Sequence, residues 1–436
     1  SCSANLKMIL QSTSRIATSS HSSTVDASHG SVKKGLYGSS PAAKSKTGRQ
    51  LLTASNTTAT AADKTASAAA GSSTVCNRTV TTASGTRAPR RICGGDLIFD
   101  EQFDTFNLQT WGHEKTLAGG GNWEFQAYLN NRSNSYVRDG NLYIKPTLTS
   151  DKYGEDFLYN GTISLYGGEP ADRCTNPSYW GCERKGNHIH ILNPITSARI
   201  RTAESFSFCY GKVEIRAKLP AGDWIWPAIW MLPRYNEYGT WPASGEIDIM
   251  EGRGNRNLMQ NGRNIGTELS SSTLHFGPFY PHDAYYNAHF ERQTIPGQGY
   301  DQNFHLYQME WTEDYIMFSI DGEEIGRTVP SEDGFWEIGQ FNSSMGPIDN
   351  PWKYGSKMAP FDKEFFFVMN VAVGGVNNYF PDNGENPGSK PWNNTSNKAA
   401  TDFWNGRNQW LPTWQRDVNN GENAALQVDY IKVFAL

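Results

Sequence analysis

From Leu97 to Phe434 the apolar residues of this chain recur with a period of two between clusters of turn residues. No stretch sustains the 3.6-residue period of an amphipathic helix. Gly211 to Leu219 alternates strictly, with Val213, Ile215, Ala217 and Leu219 on one face and Lys212, Glu214, Arg216 and Lys218 on the other. Tyr136 to Ile144 and Tyr315 to Gly322 each carry Asp-Gly, the pair that suits the positive φ angles of a tight hairpin turn. Phe365 to Gly375 reads as a buried strand ending at a turn, and Leu426 to Phe434 as the closing strand. Many strands without helices in one domain predict an all-β fold, a two-sheet sandwich or jelly roll.

Composition marks where that domain begins. Residues 1–92 hold one aromatic, Tyr37, and 12 Lys or Arg against two Asp, a net of +10 in a background of Ser, Thr and Ala. With the whole chain at −5, the other 344 residues carry −15, and they hold 54 of the 55 aromatics and all 14 Trp. The expected organisation is a low-complexity, disordered basic segment over 1–92 and one folded domain over 93–436. The basic residues are scattered rather than clustered, which argues against a nucleic-acid arm. No apolar run approaches the ~20 residues of a membrane span. Neither nucleic acid nor membrane is therefore an expected partner. The chain does not begin with Met and Ser1 to Leu10 contains no signal-peptide core, so a signal has been removed or this end is incomplete or altered.

Six cysteines point to an oxidising, extracellular setting. Cys174 and Cys182 bracket the turn-rich Thr-Asn-Pro-Ser-Tyr-Trp-Gly and are expected to form a disulfide. Cys76 and Cys93 flank the junction of the two segments, and Cys209, on the apolar face of a strand, reads as a buried thiol. The sequons, in a chain this rich in Asn, Ser and Thr, add little to that argument.

The chemistry concentrates in Gly245-Glu246-Ile247-Asp248-Ile249-Met250-Glu251-Gly252. Its β-branched residues favour a strand. Glu246 and Asp248 then project from one face while Ile247 and Ile249 face the core. Strict alternation turns Glu251 inward, and a β-bulge at Ile249-Met250 returns it to the carboxylate face. Three like charges on one short strand repel, so the arrangement needs a reason to persist. Carboxyl groups held together have their pKa values pushed apart, leaving one an acid and one a nucleophile or base, which is the equipment of glycoside hydrolysis.

Glu-Ile-Asp-Ile-Met-Glu preceded by Trp226-Pro-Ala-Ile-Trp230 resembles glycoside hydrolase family 16, in its endo-β-1,3-glucanase (laminarinase) and invertebrate β-1,3-glucan-binding branch. The resemblance covers about residues 93–436 and includes Ser197-Ala-Arg-Ile200, Tyr210-Gly-Lys-Val-Glu214, Leu274-His-Phe-Gly-Pro278 and Val428-Asp-Tyr430. It implies a concanavalin A-like jelly-roll sandwich with an open concave cleft. It implies Glu246 as nucleophile, Glu251 as general acid/base and Asp248 as the residue between them that holds proton and charge. Retaining enzymes place their carboxyl groups ~5–5.5 Å apart. On a straight strand the Cα atoms of Glu246 and Glu251 lie roughly 13–16 Å apart, a gap that two long side chains on a bulged strand can close.

Trp226 and Trp230 take the family's positions for sugar platforms, although Trp in a strand is more often core, and Trp224 fits either role. His275, Arg199 and Asn134 match family positions near the cleft or binding sugar hydroxyls. Asp429 matches the carboxylate that many relatives use for a structural calcium, while catalysis itself needs no cofactor. The resemblance implies a secreted, monomeric retaining hydrolase of β-1,3-glucan. The alternative is a non-enzymatic β-1,3-glucan pattern-recognition protein of innate immunity. Residues 1–92 show none of the aromatic-rich strand pattern of those proteins' N-terminal carbohydrate-binding module. Many of the binding proteins have also lost the catalytic glutamates, whereas both are present here.

Overall fold

A computed structural model describes residues 92–169 and 171–436. The segment expected to be disordered over 1–92 lies, but for Ile92, outside the described residues. The main strands in chain order are β1 (Leu97–Glu101), β2 (Gly112–His113), β3 (Ser135–Arg138), β4 (Asn141–Ile144) and β5 (Arg199–Arg201). They continue with β6 (Gly211–Lys218), β7 (Ile225–Pro233), β8 (Glu246–Gly252), β9 (Leu269–His275) and β10 (His289–Gln293). The last are β11 (His305–Trp311), β12 (Ile316–Ile320), β13 (Glu323–Thr328), β14 (Phe365–Val373) and β15 (Leu426–Phe434).

Two antiparallel sheets result. One runs β13-β12-β11-β6-β15-β4-β3, with β1 also pairing β15, and the other β10-β9-β8-β7-β14-β5-β2. Neighbours far apart in sequence, such as β6 beside β15 and β7 beside β14, are the long-range pairings of a jelly-roll sandwich. The helices among the described residues are single turns or little more, the longest being Ala399–Asn405.

The alternation of β6 holds, with Val213, Ile215 and Ala217 buried and the charged residues outward. Both Asp-Gly bends are tight turns with positive φ at Asp139 and Gly140 and at Asp321 and Gly322. Phe99 of β1 meets Phe367 of β14 at 6.0 Å, and Trp311 of β11 meets Phe365 edge-on, so the inner faces share one core. Ile229, Met231 and Ile247 are fully buried in it. Each such side chain stabilises the sandwich by ~1.5–3 kcal/mol, which anchors the carboxylate strand from below.

Cys174 and Cys182 are joined, as expected. Cys209 is not a buried thiol. It precedes β6 and, like Cys93, is disulfide-bonded. Trp224 is a core residue, because its φ of 68° turns it out of register with β7 and into an edge-on nest with Phe380 and Trp392.

Candidate active site

β8 lies between β7 and β9 and enters through Gly245. That position has φ +83°, and a Cβ there would come within 2.9 Å of the Phe361 ring, so only glycine starts the strand here. Along β7 the register passes from Trp230↔Asp248 to Ile229↔Met250, leaving Ile249 unpaired. Along β9 it passes from Thr273↔Asp248 to Ser271↔Glu251, so Ile249 and Met250 together face Ser272. This is the expected bulge. Ser272 closes it by donating to the Ile249 carbonyl at 2.7 Å. With one residue extra, Glu246 and Glu251 are both half-buried and Asp248 is buried, while Ile247 stays in the core.

Each glutamate is held by an indole. Trp241 donates Nε1–H to Glu246 at 3.1 Å, and Trp226 donates to Glu251 at 2.9 Å. Between them, Asp248 pairs with His275 Nε2 at 3.0 Å, and His275 Nδ1 bonds Asp283 at 2.6 Å. Though burial works against it, the imidazole between two aspartates has its pKa raised well above the ordinary value. Glu246, Asp248 and His275 bring donor atoms within 4.8 Å of one another, and both His275 nitrogens are engaged by the two aspartates. The trio reads as a proton-sharing cluster.

Burial raises the pKa of both glutamates, and the charge of Asp248 raises them further, while His275 opposes the shift. A carboxyl with a raised folded-state pKa binds its proton more tightly folded than unfolded. Folding stability therefore falls as pH rises from the ordinary carboxylate value through the raised one. Glu246→Gln removes one such group and keeps an acceptor for Trp241. Its Tm is expected to exceed that of the wild type at about pH 8 and to match it at about pH 4, which calorimetry across that range checks.

Not every expected binding residue stands open to a ligand. Trp226 is 8% exposed, with Tyr379 stacked on it at 3.9 Å and Arg253 over Tyr379. It orients Glu251 rather than offering a platform. Trp230 is half-buried, with the Arg199 guanidinium 4.5 Å from its ring centre and its Nε1–H on Asn370. Arg199 in turn pairs with Glu114 at 3.2 Å. Asn134 is fully buried and donates to the Lys145 and Thr196 carbonyls and the Thr147 hydroxyl, so it braces the backbone and does not reach a sugar. Asp429 pairs with Arg216 of the neighbouring strand β6.

Trp241, Asp283, Asn370 and Tyr379 belong to the site and were missed in the sequence. Asn370 had a signal, as the one polar residue in the nine-residue apolar β14. It accepts from Trp230 and donates to the Tyr128 hydroxyl.

The family model described as Glycosyl hydrolases family 16 matches residues 180–347. The β-1,3-glucan-binding protein of Penaeus monodon is 49% identical over 343 residues, 78% of this chain and 90% of that protein. The glucan endo-1,3-β-glucosidase A1 of Niallia circulans is 33% identical over 303 residues, 67% of this chain and 36% of that protein. Among solved structures, the laminarinase from Rhodothermus marinus is 24% identical, with 78% of this chain and 97% of that one covered at a TM-score of 0.47.

Proposed function

The chain belongs to glycosyl hydrolase family 16, and on that footing we propose that it is a secreted, monomeric, endo-acting hydrolase of β-1,3-glucosidic bonds. The observation that carries the reading is the bulged strand that brings Glu246, Asp248 and Glu251 to one face with indole donors on both glutamates. The names of the Penaeus and Niallia proteins support β-1,3-glucan as the polymer.

Glu246 attacks the anomeric carbon, forming a glycosyl ester as the bond to the leaving oxygen breaks, and the proton of Glu251 passes to that oxygen. Burial and the charge of Asp248 hold the Glu246 pKa up, and the positive charge of His275 opposes them and favours the ionised form that attacks. Esterification cancels the charge of Glu246, which removes a neighbour that raised the pKa of the acid. Glu251 then becomes the base that takes a proton from water as water attacks the ester. Two displacements retain the anomeric configuration.

Trp226→Phe keeps a ring against Tyr379 and deletes the donor to Glu251. That hydrogen bond lowers the Glu251 pKa. Its loss is expected to move the alkaline limb of kcat/KM to higher pH and to lower kcat about tenfold, as measured in a pH–rate profile.

A second reading is a glucan receptor of innate immunity without turnover, favoured by the name of the relative that is 49% identical. A reducing-sugar assay on laminarin separates the two. The hydrolase releases new ends, whereas a receptor binds the polymer and releases none.

A further inference from the structure

The fold holds a cavity of about 680 Å³ walled by Trp123, Glu124, Trp180, Arg184, Val376 and the 394–401 segment. None of the residues assigned to the catalytic strand or its indole donors lines it. Its volume and its mixture of aromatic and polar walls are those of a small-ligand site.

The aromatics here are presented outward rather than packed away. Trp123 is 44% exposed and Trp180 is 71% exposed, with Tyr179 beside them. Tyr179 and Trp180 both lie in the left-handed region, at φ 53° and 57°, a conformation that non-glycine residues hold only where surrounding structure imposes it. Cys174–Cys182 brackets the loop, and Thr116 donates to the carbonyls of Asn176 and Gly181. A Cβ on Gly181 would fall 2.1 Å from the Asn176 carbonyl, so the bend admits glycine alone.

The polar wall is suited to hydroxyls. Thr395 and Asn397 stand exposed on it, beside Asn394, whose amide nitrogen donates to Asn378 Oδ1 and the Phe380 carbonyl. Charges of both signs border the cavity and several are already engaged. Arg184 bonds Asn193 and the Tyr179 carbonyl, and Lys398 pairs with Asp402. This balance suits an uncharged ligand. A neutral ligand with apolar C–H faces for the indoles and hydroxyls for the Thr395 and Asn397 side chains is a pyranose.

We infer that this cavity is a second saccharide site, which holds a neutral pyranose stretch of a polysaccharide apart from the catalytic strand. That the polysaccharide is β-1,3-glucan rests on the reading above. The site gives the protein two points of attachment along one polymer, so long chains bind more tightly than the catalytic cleft alone provides.

Affinity electrophoresis tests this with the Glu246→Gln protein, which cannot consume the probe. The gels contain laminarin, mixed-linkage β-glucan, xylan or mannan. Adding Trp123→Ala and Trp180→Ala is expected to weaken retention by laminarin about tenfold. Trp180→Ala alone, at the more exposed ring, is expected to weaken it about threefold and serves if the double change lowers the melting temperature. If a different glycan retards the parent and the tryptophan changes abolish that, the pocket stands and the β-1,3-glucan reading fails. If the variants are retained as strongly as the parent by every glycan, or if no glycan retains the parent, the pocket inference is overturned.

Discussion

Glu246→Gln is expected to lower kcat on laminarin about ten-thousandfold or more while leaving the protein folded and able to bind the polymer. The amide is nearly isosteric and still accepts from Trp241, but it cannot form the glycosyl ester, and loss of a covalent nucleophile is among the largest single-residue effects in enzymes. Initial rates of reducing-end release, with binding measured on the same sample, check it. A variant that keeps a tenth of wild-type turnover would remove Glu246 from the nucleophile role.

Glu251→Gln is expected to cost about 100- to 10,000-fold on laminarin, the span typical of a lost general acid. Its signature is more telling than its size. An aryl glycoside with an acidic phenol leaving group needs no proton to depart. The variant should therefore form the glycosyl-enzyme from that substrate at near wild-type rate, seen as a burst of phenol, and then stall because no base activates water. Added azide, which attacks without a base, should restore turnover. If aryl glycoside and laminarin lose rate equally, Glu251 is not the acid.

The fold was legible because its signals are local. Period-two alternation in Gly211–Lys218 and the two Asp-Gly bends need no knowledge of the rest of the chain, and they lie where the sequence puts them. The bulge was legible for a different reason: three carboxylates cannot share one face of a regular strand at that spacing, so the extra residue at Ile249-Met250 was implied by the chemistry. What the sequence hid depends on distant partners. Trp226 and Trp230 sit at equivalent positions on one face of β7, and only the return of Tyr379 from far along the chain covers one of them. Asn134 looks like a turn residue until carbonyls 11 and 62 positions away converge on its amide. Asp429 meets Arg216 across 213 residues, and the bond that occupies Cys209 is equally invisible in the residues around it.

The carboxylates are braced by hydrogen bonds and ion pairs. Glu251 takes its orientation from Trp226 of β7 and Glu246 from Trp241 just before β8, and His275 is fixed by Asp283 as well as Asp248. Such bracing holds like charges together against their repulsion and leaves little reorganisation for the reaction itself.

The anomeric configuration of the first product tests the double displacement itself. Proton NMR of laminarin mixed with the wild-type protein, recorded before mutarotation, should show the β-anomer of the new reducing end appearing first and the α-anomer only later. Initial release of the α-anomer, or no release by a protein that binds laminarin, would contradict a double displacement on Glu246 and Glu251.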